Sequence, residues 1–426
     1  MSAIKGKAVV AQSGGPTAVI NASAAGVIET AMANESVFTA VYGAYNGILG
    51  VLREELFDLG EEDRYQIKLL QRSPSAALGS CRHKLKDLQT SRADYERILE
   101  VFQAHDVRYF FYIGGNDSMD TADKLSKLAA EIDYEMIVVG VPKTIDNDLA
   151  YTDHCPGYGS VAKYTAVTAM EAGRDTESLY THDTTTVMEV MGRNAGWIAA
   201  SAGLARRSPE DAPHLIYLPE VPFSVERFVE DVKSCLAEFK GCFIVAGEGV
   251  RDADGNYLSE MGGSFSQDAF GHKQLGGAGE ALRLIVESEA GAKCRYNKAG
   301  TSQRNARHFA SAKDVAESYM AGAAAVQAAM KGTTDKMVSL VREDEGGQYR
   351  CTTGLADLAA VANAVKPMPR EYINDRGNGV TEAFLQYARP LVAGTAELEM
   401  GPDGLPVYAR LAKHMVEKKT NREYGV

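Results

Sequence analysis

The stretch VGVPKTIDNDLAYTD crowds Lys143, Thr144, Asp146, Asn147 and Asp148 just behind an apolar run. In such a cluster one carboxylate can take a proton from a substrate hydroxyl, a second can help hold a cation, and the ammonium can meet a transferring phosphate. Two carboxylates, a lysine and a hydroxyl together are unusual for a plain turn, so a chemical role is favoured over a structural one. Two glycine pairs have the makings of phosphate loops. In VVAQSGGPTAVINAS, Gly14 and Gly15 precede a helical pattern carrying Thr17 and Asn21; glycine lets backbone N–H groups approach an oxyanion, and a helix amino terminus adds a favourable dipole. The stretch lacks both G-K-[ST] and G-x-G-x-x-G, so by itself it reads as a turn at least as well as a cradle. In GGNDS, Gly115 is followed by Asn116 and Asp117, which suit either a ligand or simple helix capping. Farther on, Met191-Gly192-Arg193 and Glu248 each follow an apolar run, and CRYNKAGTSQR supplies Arg295 and Arg304. Guanidinium forks match phosphate, although single surface charges more commonly end in salt bridges.

These residues must be positioned by the elements between them. Apolar runs at Ala8 to Ala11, Tyr109 to Ile113, Met136 to Val141, Thr185 to Met191, Leu215 to Leu218 and Cys242 to Ala246 predict strands, each followed by a helical pattern. After Gly115, for example, Met119, Ala122, Leu125, Leu128, Ala129 and Ile132 recur at helical spacing. Strands alternating with helices predict an α/β protein with parallel sheets covered on both faces. In that architecture ligands bind beyond the carboxyl ends of strands, where the two glycine loops, the TIDND cluster, Arg193 and Glu248 fall.

Composition narrows the class. The 426 residues carry 45 Lys+Arg against 57 Asp+Glu, a net charge of −12, with 45% hydrophobic residues, which describes a globular chain of two or three domains at about 150 residues each. No apolar run approaches the ~18 residues that would span a bilayer, and the amino terminus reaches a glycine turn too early for a secretory leader, so a cytoplasmic protein with no membrane partner is expected. The acidic balance gives no overall footprint for nucleic acid; an anionic partner must be met in a local pocket. The six cysteines are scattered without C-x-x-C and the eight histidines without H-E-x-x-H, so neither a disulfide framework nor a structural metal is expected.

In combination and in order, SGGPTAVIN, GSCR, GGNDS, PKTIDND, MGR, GEG and R…GTSQR, from about Ala8 to Arg304, resemble the phosphofructokinase family. The resemblance implies two doubly wound (Rossmann-like) parallel-sheet domains that exchange chain segments, the phosphofructokinase fold. Residues 1–155 with roughly 303–365 would hold the phosphoryl donor, and residues 156–302 with roughly 366–426 fructose 6-phosphate. It also implies Mg²⁺, the product fructose 1,6-bisphosphate and a homodimer or homotetramer.

By the same resemblance Asp146 would be the base for the sugar 1-hydroxyl, while Asp148 and Thr144 position sugar and metal. Arg193 and Arg82 would stabilise the transferring phosphoryl group. Gly15, Gly115 and Asn116 would line the donor site, and Met191, Gly192 and Glu248 the sugar site, with Arg295 and Arg304 clasping the 6-phosphate of their own or a neighbouring subunit. Asn116 stands where many members have a metal-associated aspartate, leaving Asp117 or Asp148 to compensate. Thr184 and Thr301 replace a 6-phosphate arginine and a histidine of ATP-using relatives. Asp117, in place of glycine, would repel a nucleotide α-phosphate, and Lys143, in place of a small residue, would fill that space and meet pyrophosphate. Both favour pyrophosphate as donor and a reversible reaction of glycolysis or gluconeogenesis. The alternatives are an ATP-dependent phosphofructokinase and a non-catalytic sugar-phosphate-binding subunit; Asp146, Asp148 and Arg193 together speak against the latter.

Overall fold

Strands that are apolar on both sides have to be covered on both sides, and this requirement organises the chain. The computed structural model describes residues 4–179, 181–182, 184–261, 266–267, 273–274, 277–345 and 347–425. The strands are β1 (Gly6–Gln12), β2 (Phe38–Ala44), β3 (Leu56–Asp58), β4 (Val107–Gly114), β5 (Ile137–Pro142), β6 (Thr185–Val190), β7 (Leu215–Tyr217), β8 (Cys242–Gly247), β9 (Ser266–Gln267), β10 (Lys273–Gln274), β11 (Cys294–Lys298), β12 (Lys336–Glu345) and β13 (Gln348–Asp357). Seven form one sheet in the order β13-β12-β5-β4-β1-β2-β3, and four form a second in the order β11-β6-β8-β7; β9 and β10 pair separately. The second sheet is wholly parallel. In the first, only the edge strands β3 and β13 run antiparallel to their neighbours.

Each large sheet is sandwiched between two cores. On one face of the first, Val9, Phe110 and Val138 meet the helices Arg92–Ala104 and Asn116–Glu131; on the other, Val10, Tyr109 and Val139 meet the helices Ile20–Met32 and Ala312–Met330. The second sheet repeats the scheme, with Met188 and Phe243 on the face of helix Tyr158–Ser178 and Val187 and Ile244 on that of helices Val225–Phe239 and Ala278–Ile285. A fully buried apolar side chain contributes about 1.5–3 kcal/mol. Four such layers therefore hold the strand ends, and the loops that leave them, far more firmly than surface contacts can.

Two features tie the sheets together. After β11 the chain returns to the first sheet, where helix Ala312–Met330 lies against helix Ile20–Met32 and β12 and β13 extend the sheet beyond β5. The helix pair is lined with small residues because the backbones nearly touch: a methyl at Gly26 would overlap the carbonyl oxygen of Tyr319, and one at Gly322 that of Ser23. At the start of the same helix, Asp314 accepts hydrogen bonds from the backbone N–H of Gly157 (2.9 Å) and Ser160 (2.9 Å) and from the Ser160 hydroxyl. It thereby caps helix Tyr158–Ser178, which covers the second sheet.

The carboxyl-terminal segment departs from the expected division at its far end. Tyr372, Phe384 and Leu391 pack on the core of the second sheet, as expected for 366–426. Beyond them, Met415 bridges Phe57, Val416 N–H donates to the Leu56 carbonyl (2.8 Å), and Glu62 and Glu54 accept backbone N–H groups of Ala412, Lys413, Lys419 and Thr420. The exposed edge of the first sheet and the buried carboxylates of Glu62 and Glu54, the latter also facing His105 (2.7 Å) and Arg97 (3.6 Å), draw this stretch back, a pull that no local apolar pattern announces.

Substitution at the close helix contact gives a test. Gly322→Ala forces backbone atoms apart and should destabilise the protein by about 1–3 kcal/mol, read as a lower urea midpoint at unchanged slope. A midpoint equal to the parent's would show that the helices are not in this register.

Candidate active site

The order of the first sheet creates a crevice. From β1 the chain proceeds to β2 on one side, then crosses to β4 on the other, so the loops leaving β1 and β4 diverge at the carboxyl end of the sheet, where ligands bind in doubly wound folds. Gly14 and Gly15 stand on one lip and Gly115, Asn116 and Asp117 on the other, with the loop after β5 alongside. Gly14 has φ of +74°, a conformation side chains resist, and its N–H donates to the Cys81 carbonyl (3.1 Å). Thr17 Oγ1 accepts from the N–H groups of Val19 and Ile20, starting the helix.

Lys143 is buried across the base of this crevice. Its Nζ donates to the Gly15 carbonyl oxygen (2.9 Å), and its own N–H to the Gly114 carbonyl oxygen (3.0 Å). Burial pushes its pKa down to about 8; Arg304 and Arg82 push the same way, while Asp146 and Asp148 oppose them. A Cβ on Gly15 would lie 3.1 Å from a terminal nitrogen of Arg304 and 3.9 Å from one of Arg82. Lys143, Arg82 and Arg304 thus form one cationic cluster over the first glycine loop. Arg304, expected at the sugar 6-phosphate, has its guanidinium here, with a buried Nε that has no partner.

Opposite the cations is a concentration of carboxylate. Burial raises the pKa of Asp146 to about 7, reinforced by Asp148 and Glu248 and opposed by Lys143 and Arg193. Asp148 is also raised, first by burial, with Lys366, Thr144 and Lys143 restraining it. Glu248, whose N–H donates to the Val190 carbonyl oxygen (2.9 Å), is raised to about 7 by burial, with Arg193 as the main restraint. The second sheet therefore brings Arg193 and Glu248 to the same cleft as Asp146. A buried Arg193 Nε lacks a partner, leaving the guanidinium edge available to a ligand. Gly192 adopts φ of +120°, and Met191 N–H is held by the Gln303 side chain (3.0 Å), which fixes the approach to Arg193.

The TIDND turn is itself over-determined. Thr144 Oγ1 accepts from Asp146 N–H (3.1 Å). Asn147, at φ of +57° and fully buried, donates to the Tyr387 hydroxyl (2.9 Å) and accepts from Cys155 N–H (3.0 Å). Lys366 N–H donates to the Asp148 carbonyl oxygen (2.7 Å). Asn147, at the centre of the motif, is thus a structural pivot between Asp146 and Asp148.

Two expected residues are engaged by other side chains. Arg295 forms an ion pair with Asp175 (2.9 Å) at the surface of the second sheet's helix layer. Asp117 pairs with Lys84 (2.7 Å), so the segment behind Arg82 is tied to the mouth of the second glycine loop. Lys84, Gln303, Lys366 and Tyr387 had no role assigned from the sequence: each acts through a backbone group or charge distant in sequence, although Lys84 lies just past GSCR and Gln303 within GTSQR. A cavity of about 580 Å³ lined by Arg174, Arg207, His214 and Lys240 lies instead at the amino ends of β7 and β8, away from this chemistry.

A glycine-lined crevice at a strand switch point, with a buried lysine and two arginines facing a carboxylate pair, defines a phosphotransferase acting on an alcohol. Residues 7–329 match the family described as Phosphofructokinase, and the chain belongs to that family. It is 47% identical over 417 residues to the pyrophosphate–fructose 6-phosphate 1-phosphotransferase of Xanthomonas campestris pv. campestris (strain B100), covering 97% of this chain and 98% of that one. A crystal structure of the pyrophosphate-dependent phosphofructokinase from Marinobacter aquaeolei superposes with a TM-score of 0.89 at 44% identity, over 99% of this chain and all of the other. The ATP-dependent 6-phosphofructokinase of Mycobacterium bovis is 30% identical over 363 residues, covering 85% of this chain and 96% of that protein.

The raised carboxylates predict a pH profile. With Asp146 active only when ionised, kcat/KM for the sugar should fall on the acid side with an apparent pKa of about 7, shared with its neighbours. Glu248→Gln removes a like charge, so the acid limb should move to lower pH whatever happens to the absolute rate. An unmoved or raised limb would separate Glu248 from the base.

Proposed function

We infer that the chain transfers a phosphoryl group from pyrophosphate to the 1-hydroxyl of fructose 6-phosphate, releasing phosphate and fructose 1,6-bisphosphate. The observation that carries the mechanism is the meeting of Asp146 with Lys143, Arg82 and Arg304 at the β1/β4 crevice. In this reading pyrophosphate lies over Gly15 and Gly115, with its charge met by Lys143, Arg82 and Arg304. The sugar lies between Asp146 and Glu248, and Asp146 takes the proton of the attacking hydroxyl. Phosphoryl transfer needs little beyond positioning and charge stabilisation, and an ionised donor keeps Lys143 protonated at neutral pH. Arg193, reaching from the second sheet, closes over the transferring group. The placement of Arg304 beside Gly15 supports a role at that group rather than at the 6-phosphate.

The residues fit Mg²⁺ as phosphofructokinases use it. Asn116 Oδ1 is buried without a hydrogen-bond partner at the donor loop, and Asp148 offers a carboxylate close by Lys143. Asn116 and Asp148 would hold the ion jointly with the donor's phosphates. Bound there it would neutralise charge on pyrophosphate.

The donor follows from shape and charge at Asp117. Its carboxylate, paired with Lys84, stands where a longer donor would have to leave the crevice, and Lys143 fills the space behind it. The division of the sheets supports a donor domain of 1–155 with about 303–365 and a sugar domain of 156–302 with most of the remaining chain. No helix among the described residues is long and apolar enough to cross a membrane, and a cytoplasmic homodimer or homotetramer serving glycolysis or gluconeogenesis is the setting proposed.

Product formation should be followed with pyrophosphate and with ATP in parallel, in both directions for the pyrophosphate reaction. Pyrophosphate alone should support turnover. Asp146→Asn should cut kcat by about 10²–10⁴-fold, the range for loss of a general base, with sugar affinity nearly unchanged. Asp117→Gly with Lys143→Gly should admit ATP. Activity of the parent with ATP alone would overturn the donor assignment, and near-normal turnover of Asp146→Asn the base assignment.

A further inference from the structure

Below the TIDND turn lies a second cluster of titratable groups that the reaction does not touch. His154 is buried, 1% exposed, and both ring nitrogens face carboxylates: Nδ1 stands 2.8 Å from Asp153 Oδ2 and Nε2 2.8 Å from Glu317 Oε2. Glu317 comes from helix Ala312–Met330 and also accepts from the Tyr349 hydroxyl (2.9 Å) on β13. Arg342 on β12 donates to both oxygens of Asp153 and lies over the rings of Tyr349 and Tyr387. Cys351 on β13 is the remaining titratable neighbour, with Lys313 over the outer face of the Tyr349 ring. This cluster leads directly to the catalytic turn. The Asp153 carbonyl oxygen accepts from the Tyr387 hydroxyl (2.9 Å) and from Lys366 Nζ (2.7 Å). The same tyrosine oxygen accepts from Asn147 Nδ2, and the Lys366 backbone holds Asp148. Cys155, next to His154, holds the other end of the Asn147 side chain.

We propose that His154, positively charged and clamped between Asp153 and Glu317, is a positioning residue that sets the geometry of the Asp146–Asp148 turn. Only an imidazolium can donate from both nitrogens; a neutral ring donates from one and turns a lone pair toward the other carboxylate. With one carboxylate unmatched in a dry interior, the Asp153 side can no longer hold Tyr387 and Lys366 as it does here. Burial works against the charge on His154, but its hydrogen bonds to Asp153 and Glu317 outweigh that and raise its pKa. The charged state therefore persists to higher pH than that of a free imidazole and is lost as pH rises through the raised value. The stability it contributes follows the same course, present below the unfolded value of about 6.5 and lost above the folded one. The proposal rests on reading Asp146 as the base.

Glu317→Gln is the discriminating variant. The amide can donate to a neutral His154 Nε2 while accepting from Tyr349, so the packing survives and only the charge is removed. The expected result is an alkaline limb of kcat that moves down by about one pH unit or more, with kcat about tenfold lower at pH 8 and KM for both substrates within about threefold of the parent. Lys143 also titrates near this range, at about 8, but its surroundings are untouched by the substitution. A superimposable profile would therefore assign the limb to Lys143 and overturn the proposal. Independently of any variant's activity, ¹⁵N spectra of histidine-labelled parent protein should show one imidazolium persisting at pH 8 and lost in Glu317→Gln; eight neutral rings at pH 7 would equally overturn it. His154→Gln serves to assign the resonance. If Asp146→Asn proves active, the base reading fails, while the imidazolium signal stands or falls separately.

Discussion

Asp146 and Asp148 are two like charges two residues apart, held largely out of water, and the rest of the structure is arranged around keeping them there. Burial alone would drive both toward their neutral forms, and mutual repulsion adds to that. What prevents full neutralisation is cation supplied from elsewhere in the chain: Lys143 from the same loop, Arg193 from the end of β6, and Lys366 from beyond the first sheet's last strand. The outcome for Asp146 is a pKa of about 7, the poise a general base needs to be ionised yet still basic at neutral pH. Lys143 shows the mirror image, an ammonium pressed toward neutrality until an anionic donor arrives. The free site thus stores unfavourable electrostatics that substrates relieve.

Much of this was legible in the sequence because strand ends are written locally. Every strand expected from an apolar run is present, and the loops carrying Gly15, Gly115, Asp146, Arg193 and Glu248 leave the carboxyl ends of β1, β4, β5, β6 and β8. The TIDND cluster, the glycine pairs and Arg193 could be found because their residue types are costly to keep unless they do something. Strands such as β2, β12 and β13 were not expected, because alternating or partly exposed strands lack a continuous apolar run.

What stayed hidden was pairing at a distance. Asp117 carries a clear local signal, yet nothing in the sequence says that Lys84 will neutralise it. Arg295 and Arg304 sit in one short motif and looked like a matched clamp; the turn between them sends one guanidinium to Asp175 and the other to Gly15. The last stretch of chain is similar. Its backbone N–H groups find Glu54 and Glu62, buried carboxylates far away in sequence. In each case the deciding partner is a buried polar group that has to be satisfied, a rule the sequence obeys but does not display.

The same rule explains why the segment after the catalytic turn is polar although it is buried. Thr152, Asp153 and His154 precede helix Tyr158–Ser178 in a position where apolar residues would pack at lower cost. Apolar side chains there could fill the space, but they could not carry direction. Thr152 Oγ1 accepts the Leu340 N–H, Asp153 and His154 engage Arg342 and Glu317, and the Asp153 carbonyl gathers Tyr387 and Lys366. Each bond joins the turn to an element that belongs to the later part of the chain: β12, helix Ala312–Met330, or the stretch beyond β13. Asp146 and Asp148 are consequently placed by segments packed on both sheets at once, so the relative position of their loop and its neighbours rests on buried hydrogen bonds between distant parts of the chain.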